Sequence, residues 1–229
     1  MVGRRNGSAV DDGRIIRGVI DVRSPSAEQF RMLRLAIDLR PRENRRLPIV
    51  FTSSGPAEGK STVAANYALV AAQNERRVLL IDADLRKPTQ HRLFGVRWAG
   101  GLTEVIAADM PYVDMIKPIQ TTPGVLHLLT AGTPLPNAGD VVGSDGMAKL
   151  LEDASEQYDL VVLDSPPVLA ASDAATVASH AGADIAFVVG KGTRRRSVTR
   201  ALAKLDLVGV NVLGFVMNRE GDMSQYGYY

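Results

Sequence analysis

The sequence has no cysteine, no long apolar run and little excess charge, and each absence excludes a class of protein. Without cysteine, neither a disulfide framework nor a thiolate metal site is possible. No apolar run approaches the roughly 20 residues that span a bilayer, and the N-terminus is charged rather than signal-like. These absences favour a cytoplasmic protein.

The charge balance also argues against a nucleic-acid partner. The formal net charge is only +2 in 229 residues. The basic clusters Arg40–Arg46 and Arg194–Arg196 contain no aromatic residue, whereas proteins that bind single-stranded nucleic acid combine basic grooves with stacking aromatic side chains. We interpret both clusters as solvated faces or loops, and no nucleic-acid partner is predicted.

What the sequence does contain is a phosphate-binding loop, Ser54–Ser61. It fits the pattern G-x-x-x-x-G-K-[ST] except that Ser54 replaces the first glycine. The apolar stretch Pro48–Thr52 predicts a buried strand before the loop, and the alanine-rich stretch Ser61–Asn74 predicts a helix after it. A strand, a tight loop and a helix N-terminus direct backbone N–H groups and the helix dipole at one point, which predicts an anion site.

This loop predicts ATP and Mg²⁺ as ligands. The backbone at Gly59 can approach a phosphate closely, Lys60 is expected to reach the β- and γ-phosphates, and the Ser61 hydroxyl is expected to bind Mg²⁺. The residues predicted to contact the nucleotide are Gly55, Pro56, Ala57, Glu58, Gly59, Lys60, Ser61, Thr62 and, at the end of the last strand, Asn218.

Three aspartates at the ends of two predicted strands complete the candidate site. Asp82 and Asp84 follow one apolar run, and Asp164 follows another. Because side chains of an extended chain repeat every two residues, Asp82 and Asp84 are expected to point the same way. Carboxylates at such strand ends are suitable ligands for Mg²⁺. One of the pair could hold the metal's water shell while the other accepts a proton from an attacking hydroxyl.

An asparagine ends the last predicted strand. The Asn218 amide offers both a donor and an acceptor, so it could hydrogen-bond the edge of a purine. A turn asparagine is nearly as good an interpretation of the residue type alone.

Apolar strands alternate with helices along most of the chain, which predicts an α/β fold: a mostly parallel sheet with helices on both faces. We expect a flexible arm at residues 1–21, one domain at 22–222 and a tail at 223–229. The predicted strands are Pro48–Thr52, Arg77–Ile81, Val125–Leu129, Leu160–Leu163, Ile185–Val189 and Val212–Met217. The predicted helices are Pro25 to about Leu39, Ser61–Asn74, Met147–Gln157, Ser172–Ser179 and Ser197–Asp206.

The tail concentrates tyrosine. Tyr226, Tyr228 and Tyr229 lie within the last four residues, although the whole chain has only six tyrosines. Because the same chain carries a phosphate-binding loop, these tyrosines are candidate acceptors of a phosphate that the chain itself transfers.

With these features the chain resembles the bacterial tyrosine kinase family, the cytoplasmic autokinases of capsular and exopolysaccharide synthesis. The resemblance runs from about Ser24 to the C-terminus. It rests on the phosphate loop, the tyrosine tail and three motifs: Glu28-x-x-Arg31-x-x-Arg34, Asp82-x-Asp84-x-Arg86 and Asp164-x-x-Pro167. The Asp-x-Asp-x-Arg motif with Asp-x-x-Pro is the specific part, since a phosphate loop alone is common to many NTPases.

The resemblance implies a P-loop kinase domain that phosphorylates tyrosine in trans. By resemblance, Lys60 stabilises the transferring phosphate, and Ser61, Asp84 and Asp164 organise Mg²⁺. Asp82 is the best candidate for activating the tyrosine hydroxyl, although Asp82 and Asp84 could exchange these tasks, so both are predicted metal-site residues.

The resemblance also implies partners. Glu28, Arg31 and Arg34 are expected to bind neighbouring subunits into a ring. From the residues alone, we instead interpret them as an exposed helix surface with an internal ion pair. A membrane co-polymerase that sets polysaccharide chain length is expected to supply an activating cytoplasmic segment and to recruit the protein to the inner face of the plasma membrane. A phosphotyrosine phosphatase is expected to reverse the reaction.

Two features depart from the family pattern, and three other functions are weighed against the kinase interpretation. The tail has three tyrosines where many family members have more. Ala57 stands where the family usually has glycine, which is expected to slow turnover if that position needs a positive φ.

The nearest alternative function is that of a partition or division-site switch ATPase of the same fold. Those proteins carry a signature lysine in the loop, and the aligned position here is Gly55. A small-metabolite kinase would need an arginine-rich lid, and a catalytically dead ATP-binding regulator is opposed by the intact lysine and aspartates.

Overall fold

The computed structural model describes residues 10–11, 14–15, 19–21, 24–40 and 48–218. The predicted acceptors Tyr226, Tyr228 and Tyr229 lie outside the described residues. So do most of the predicted arm and all of residues 223–229.

The main sheet has seven strands in the order β5-β6-β4-β7-β3-β8-β9, and every neighbouring pair is parallel except β5 with β6. The predicted α/β fold with a mostly parallel sheet is therefore confirmed. The strands are β1 (Val10–Asp11), β2 (Arg14–Ile15), β3 (Ile49–Ser53), β4 (Arg77–Asp82), β5 (Lys117–Ile119), β6 (Val125–Leu129), β7 (Leu160–Asp164), β8 (Asp184–Gly190) and β9 (Val212–Asn218).

Helices cover both faces of this sheet. They are α1 (Pro25–Asp38), α2 (Lys60–Ala72), α3 (Gln90–Leu93), α4 (Leu102–Ala107), α5 (Ala138–Val142), α6 (Asp145–Gln157), α7 (Asp173–His180) and α8 (Arg195–Asp206), with a 3-10 turn at Tyr112–Asp114. Residues of α1, α2 and α3 pack on one face, and residues of α4 to α8 pack on the other.

The central strands are buried on both faces, so their sequences are nearly continuous apolar runs. In β3, Ile49 and Phe51 contribute to the core under α1 and α2, while Val50 contributes to the opposite core. The same alternation in β4 and β7 places Asp82 and Asp164 on the α2 side of the sheet, two residues beyond Leu80 and Val162. The pleat thus aims both carboxylates towards the helix that follows the phosphate loop.

The short strands and helices were not predicted from the sequence. Strand β5 is an antiparallel edge strand of three residues with Pro118 at its centre, a residue that edge strands tolerate because one side of the ladder is unpaired. Helices α3, α4 and α5 have four to six residues, too few to show a helical period. Two of these short helices, α3 and α5, follow the carboxyl ends of strands β4 and β6.

The N-terminal segment is attached to the domain at two described points. Val19 packs against the core under α1 and α2, and the Ile20 amide donates a hydrogen bond to Asn66 Oδ1 at 2.8 Å. Strands β1 and β2 pair antiparallel, a short element that the sequence did not predict. In the part of the chain that the structure describes, no helix is both long and apolar enough to cross a membrane.

Candidate active site

The candidate site lies where three neighbouring strands end. Strand β7 is between β3 and β4, so the phosphate loop after β3 and the aspartates of β4 and β7 meet at one edge of the sheet. Asp82 and Asp164 are direct register partners on adjacent strands. The tertiary structure therefore brings together residues 82 and 164, which are 82 positions apart in the chain.

The serine that replaces the first glycine of the loop has a specific partner. The Ser54 hydroxyl donates to Glu58 Oε1 at 2.6 Å, and the Gly55 amide donates to the same oxygen at 2.8 Å. The loop is thus closed by its own carboxylate, so Ser54 and Glu58 form a pair that the sequence pattern did not indicate. Glu58, predicted to contact the nucleotide, here binds the loop itself.

Two loop residues adopt left-handed backbone conformations. Gly59 has φ +88°, and a Cβ there would collide with the Asn218 amide, so only glycine fits. Ala57 has φ +62°. The position where glycine was expected does need a positive φ, and alanine pays a steric cost there.

Lys60 is buried among the carboxylates. Its ammonium lies 2.8 Å from Asp84 Oδ2, 3.2 Å from Asp164 Oδ1 and 3.0 Å from Ser61 Oγ. Burial opposes the positive charge, but attraction by Asp164 and then Asp84 outweighs it, so the pKa of Lys60 is raised. The lysine therefore remains charged at the point where the loop and both strand ends converge.

Asp82 is fully buried and differently held. Its Oδ2 accepts hydrogen bonds from the amides of Thr89 and Gln90, each at 2.9 Å. Its Oδ1 has no partner among the described residues. Burial and then the negative charge of Asp164 raise the pKa of Asp82 well above its ordinary range, against these hydrogen bonds. A carboxyl group with a free oxygen and a raised proton affinity is suited to accept a proton.

Asp84 and Asp164 each divide their oxygens between two partners. Asp84 Oδ1 accepts from the Lys87 amide at 3.0 Å, and Asp164 Oδ2 accepts from Gln90 Nε2 at 2.8 Å. In each case the other oxygen faces Lys60. Sequence reasoning missed Gln90, because a glutamine eight residues beyond Asp82 carries no residue-type signal.

The donor set fits a nucleotide with Mg²⁺. Three carboxylates and the Ser61 hydroxyl offer oxygen ligands, the type that Mg²⁺ prefers. Among the described residues, no group of three or more histidine, cysteine, aspartate or glutamate side chains is arranged to hold a metal ion. A Mg²⁺ ion that binds with a nucleotide takes several of its ligands from phosphates and water. The first turn of α2 lacks a side-chain cap, so its N–H groups remain for an anion.

Asn218 lies against the phosphate loop. Its Nδ2 donates to the Glu58 carbonyl at 2.9 Å, and its own carbonyl accepts from the Lys191 amide. The side chain at the end of β9 therefore helps to hold the phosphate loop in place. A contact between Asn218 and a purine edge stays a prediction.

The predicted oligomerisation residues lie on α1, outside this cluster. Arg31 pairs with Glu28 at 2.7 Å on the exposed helix surface. Arg34 instead turns towards Asp38, at 3.3 Å, which in turn pairs with Arg76. The three residues therefore do not present one continuous set of free charges.

Comparisons with known proteins agree with this geometry. The ParA family model, described as "NUBPL iron-transfer P-loop NTPase", matches residues 47–226. Tyrosine-protein kinase YwqD of Bacillus subtilis (strain 168) is 35% identical over 221 residues, which cover 94% of this chain and 92% of that protein. Iron ligation by thiolates is not open to a chain without cysteine.

Solved structures of bacterial tyrosine kinases are also similar to this chain. The kinase domain of the Escherichia coli tyrosine kinase ETK is 31% identical, with a TM-score of 0.81, covering 98% of this chain and 88% of that one. The chimerical protein CapA2B2 is 33% identical, with a TM-score of 0.80 and 87% of each chain covered. The septum site-determining protein MinD of Pyrococcus horikoshii OT3, complexed with Mg-ADP, shares only the fold at 23% identity and a TM-score of 0.59, with 76% of this chain and 71% of that one covered.

Proposed function

The chain belongs to the bacterial tyrosine-protein kinases and is an enzyme of that type, and we propose that it uses ATP to phosphorylate the tyrosines of its own C-terminal tail in trans. The observation that carries this proposal is the buried Lys60 of the phosphate loop, held between Asp84 and Asp164.

The proposed transfer is a single displacement. The tyrosine oxygen forms a bond to the γ-phosphorus while the bond from that phosphorus to the β–γ bridging oxygen breaks, and ADP leaves. The hydroxyl proton passes to Asp82, whose buried Oδ1 has no hydrogen-bond partner among the described residues. Lys60 offsets the negative charge that builds up on the phosphate oxygens.

Ser61, Asp84 and Asp164 would hold Mg²⁺, directly or through water, and Asp82 belongs to the same cluster. When bound, the ion supplies positive charge that offsets that of the phosphates and orients them. Binding of Mg-ATP requires Lys60 to exchange its contacts with Asp84 and Asp164 for contacts with phosphate. The carboxylates are thereby released for the cation.

The choice of acceptor follows partly from burial. Tyr67, Tyr112 and Tyr158, the tyrosines of the described domain, are 0%, 7% and 5% exposed. Burial also raises the pKa of Tyr158 to about 12, which disfavours the phenolate. None of the three can enter another subunit's site without unfolding, which leaves the tail tyrosines as the proposed acceptors.

Transfer in trans requires a neighbour. We propose that the α1 surface with Glu28, Arg31 and Arg34 joins copies into a ring, so that one tail lies at a high effective concentration near the next site. Each phosphate adds about −1.5 to −2 charges. A fully phosphorylated tail is therefore repelled by a site lined with three carboxylates, and the ring loosens.

The remaining proposals concern cellular context. A membrane co-polymerase would supply an activating cytoplasmic segment and recruit the kinase to the inner face of the plasma membrane, in support of capsule or exopolysaccharide polymerisation and export. A phosphotyrosine phosphatase would reset the tail. The resemblance to the chimerical protein CapA2B2 supports a two-component arrangement of this kind.

A mixing experiment tests the transfer. One copy carries Lys60→Met and an intact tail, and the other carries an intact site with Tyr226, Tyr228 and Tyr229 changed to phenylalanine. Neither copy should label alone with Mg-ATP on a phosphotyrosine immunoblot, but the mixture should label the Lys60→Met copy.

Two results would contradict the proposal. Labelling of the phenylalanine copy by itself would place the acceptor elsewhere, and Tyr112→Phe is the matched control because that residue is buried. ATP hydrolysis without any phosphotyrosine in the wild-type protein would favour a switch ATPase instead.

A further inference from the structure

Gln90 is a fully buried polar residue that the proposed chemistry leaves without a task. It begins the short helix α3 and is 0% exposed. Its side-chain Nε2 donates to Asp164 Oδ2 at 2.8 Å and to the Ser61 carbonyl at 3.0 Å. Both N–H groups of the amide are therefore used on residues of the candidate site.

The orientation of this amide is fixed by its partners. Ser61 O and Asp164 Oδ2 are both acceptors, so a flipped amide would set oxygen against oxygen at hydrogen-bond distance. The Gln90 Oε1 must therefore face away from them. It is buried and accepts no hydrogen bond from any residue that the structure describes.

The backbone of Gln90 contacts a third part of the site. Its amide and the neighbouring Thr89 amide both donate to Asp82 Oδ2. One residue thus binds the first turn of α2, the end of β7 and the end of β4. An apolar side chain would serve for packing alone, and would avoid the cost of a buried polar group with an unpaired oxygen.

We propose that Gln90 is a positioning residue of the phosphotransfer site. Its amide holds one oxygen of Asp164 and so leaves the other, Oδ1, facing Lys60 and the cation side. The same amide ties Asp164 to the backbone of Ser61, whose hydroxyl is a predicted Mg²⁺ ligand. This inference rests on the proposed function, since it concerns the carboxylate that organises the metal.

The variant that tests it is Gln90→Met, which keeps the side-chain length and removes both donors. The first measurement is binding of a fluorescent, non-hydrolysable ATP analogue as Mg²⁺ is titrated. We expect the Mg²⁺ concentration for half-maximal binding to rise about 10- to 100-fold, the range typical of losing a residue that orients a metal ligand. The second measurement is kcat for tail labelling at saturating Mg²⁺, which should recover in part.

Two further variants control for folding. Gln90→Asn keeps the amide on a shorter side chain and should give an intermediate shift. Arg92→Gln changes an exposed residue of the same helix, whose side chain donates a hydrogen bond to the Pro88 carbonyl, and should leave Mg²⁺ dependence unchanged. Thermal unfolding is recorded for all three.

A wild-type Mg²⁺ dependence in Gln90→Met overturns the inference. So does a loss of stability without a shift in Mg²⁺ dependence, or loss of the fold in both Gln90 variants, because either would make the contact a matter of packing. The binding assay needs no tyrosine transfer. If the wild-type protein does not label tyrosine, the proposed function is wrong. The Mg²⁺ dependence of nucleotide binding would still test whether Gln90 positions Asp164.

Discussion

The phosphate-loop cluster and the exposed surface of α1 both carry charged residues within motifs, but their surroundings differ. In the cluster, Lys60 is 8% exposed and contacts the carboxylates of Asp84, just beyond β4, and Asp164, at the end of β7. On α1, the side chains of Arg31 and Glu28 are 43% and 64% exposed and pair within one helical turn. The first arrangement depends on the whole sheet, whereas the second needs only a helix.

This difference in burial sets how much each group of charges can contribute to stability. An exposed ion pair contributes about 0.2 to 1 kcal/mol, because water screens it and two long side chains must be ordered. Removing one partner of a buried ion pair costs about 3 to 5 kcal/mol, because a charge is left uncompensated. A buried cluster that is costly to maintain and that faces an anion-binding loop is better evidence of function than an exposed pair.

The largest expected effect comes from Lys60→Met. Tail labelling should fall below detection, because the positive charge that offsets the phosphates is lost. The variant should also lose about 3 kcal/mol of stability at neutral pH without Mg²⁺, since Asp84 and Asp164 are left unpaired and buried. Chemical denaturation with and without Mg²⁺ measures this, and added Mg²⁺ should restore part of the loss.

Lys191→Met is the matched control for that variant. Lys191 is exposed and follows β8 near the same loop, and its described hydrogen bond is made by the backbone. Its replacement should leave both stability and labelling within the error of the wild type. Equal losses in the two variants would mean that burial does not set the size of the effect.

The next effect separates two aspartates within the cluster. Asp82→Asn and Asp164→Asn should each lower the labelling rate about 100-fold or more. Their stabilities should differ: Asp164→Asn loses a charge-assisted bond to Lys60, worth about 2 kcal/mol. Asp82→Asn removes a carboxylate that burial and Asp164 both disfavour, and its stability should change by less than about 1 kcal/mol.

Single-turnover labelling and denaturation of the same preparations test this pair. Full activity in both variants would remove the aspartates from the site. A larger stability loss in Asp82→Asn than in Asp164→Asn would contradict the assigned electrostatics.

A smaller effect is expected from the backbone of the loop. Ala57→Gly should stabilise the protein by about 1 kcal/mol, because alanine at φ +62° carries a steric penalty that glycine lacks. Glu75→Gly is the matched control, since Glu75 has φ +60° in a turn after α2. Both substitutions should raise the melting temperature, but only Ala57→Gly should change nucleotide affinity. A change of nucleotide affinity in both variants would show that the effect is not specific to the phosphate loop.

The smallest stability effect should come from α1. A double-mutant cycle on Glu28 and Arg31 should give a coupling of less than about 0.5 kcal/mol. Replacing Glu28, Arg31 and Arg34 by alanine should give smaller particles in light scattering and less labelling, with nucleotide binding retained. Unchanged particle size would remove α1 from the proposed ring.

Much of the fold could be read from the sequence where a segment was long enough to show its period. The observed strand Val125–Leu129 has the predicted bounds. The predictions for β4, β7 and β9 end one residue early, and those for β3 and β8 differ from the structure by one residue at both ends. Strand β5 and helix α3 were missed because three or four residues carry no period. Lys60, Asp82, Asp84 and Asp164 do meet at one site, although their catalytic and metal-binding tasks stay predictions.

The contacts that support this site followed no sequence pattern. In the sequence, Ser54 is only a departure from the loop motif, whereas in the structure its hydroxyl donates a hydrogen bond to Glu58. Gln90 lies in a stretch that the resemblance included, but nothing about a glutamine predicts a bond to a carboxylate 74 residues away.

The sequence by itself determined the phosphate loop, the alternation of strands and helices, and the strand ends where the carboxylates lie. Those features are local, because they depend on residue type and on the periods of strand and helix. Only the tertiary structure decided that Lys60 lies between Asp84 and Asp164, that Asp82 keeps one free oxygen, and that Gln90 joins three elements. The physical reason is that burial and charge pairing depend on neighbours supplied by strand order, and strand order joins residues that are far apart in the chain.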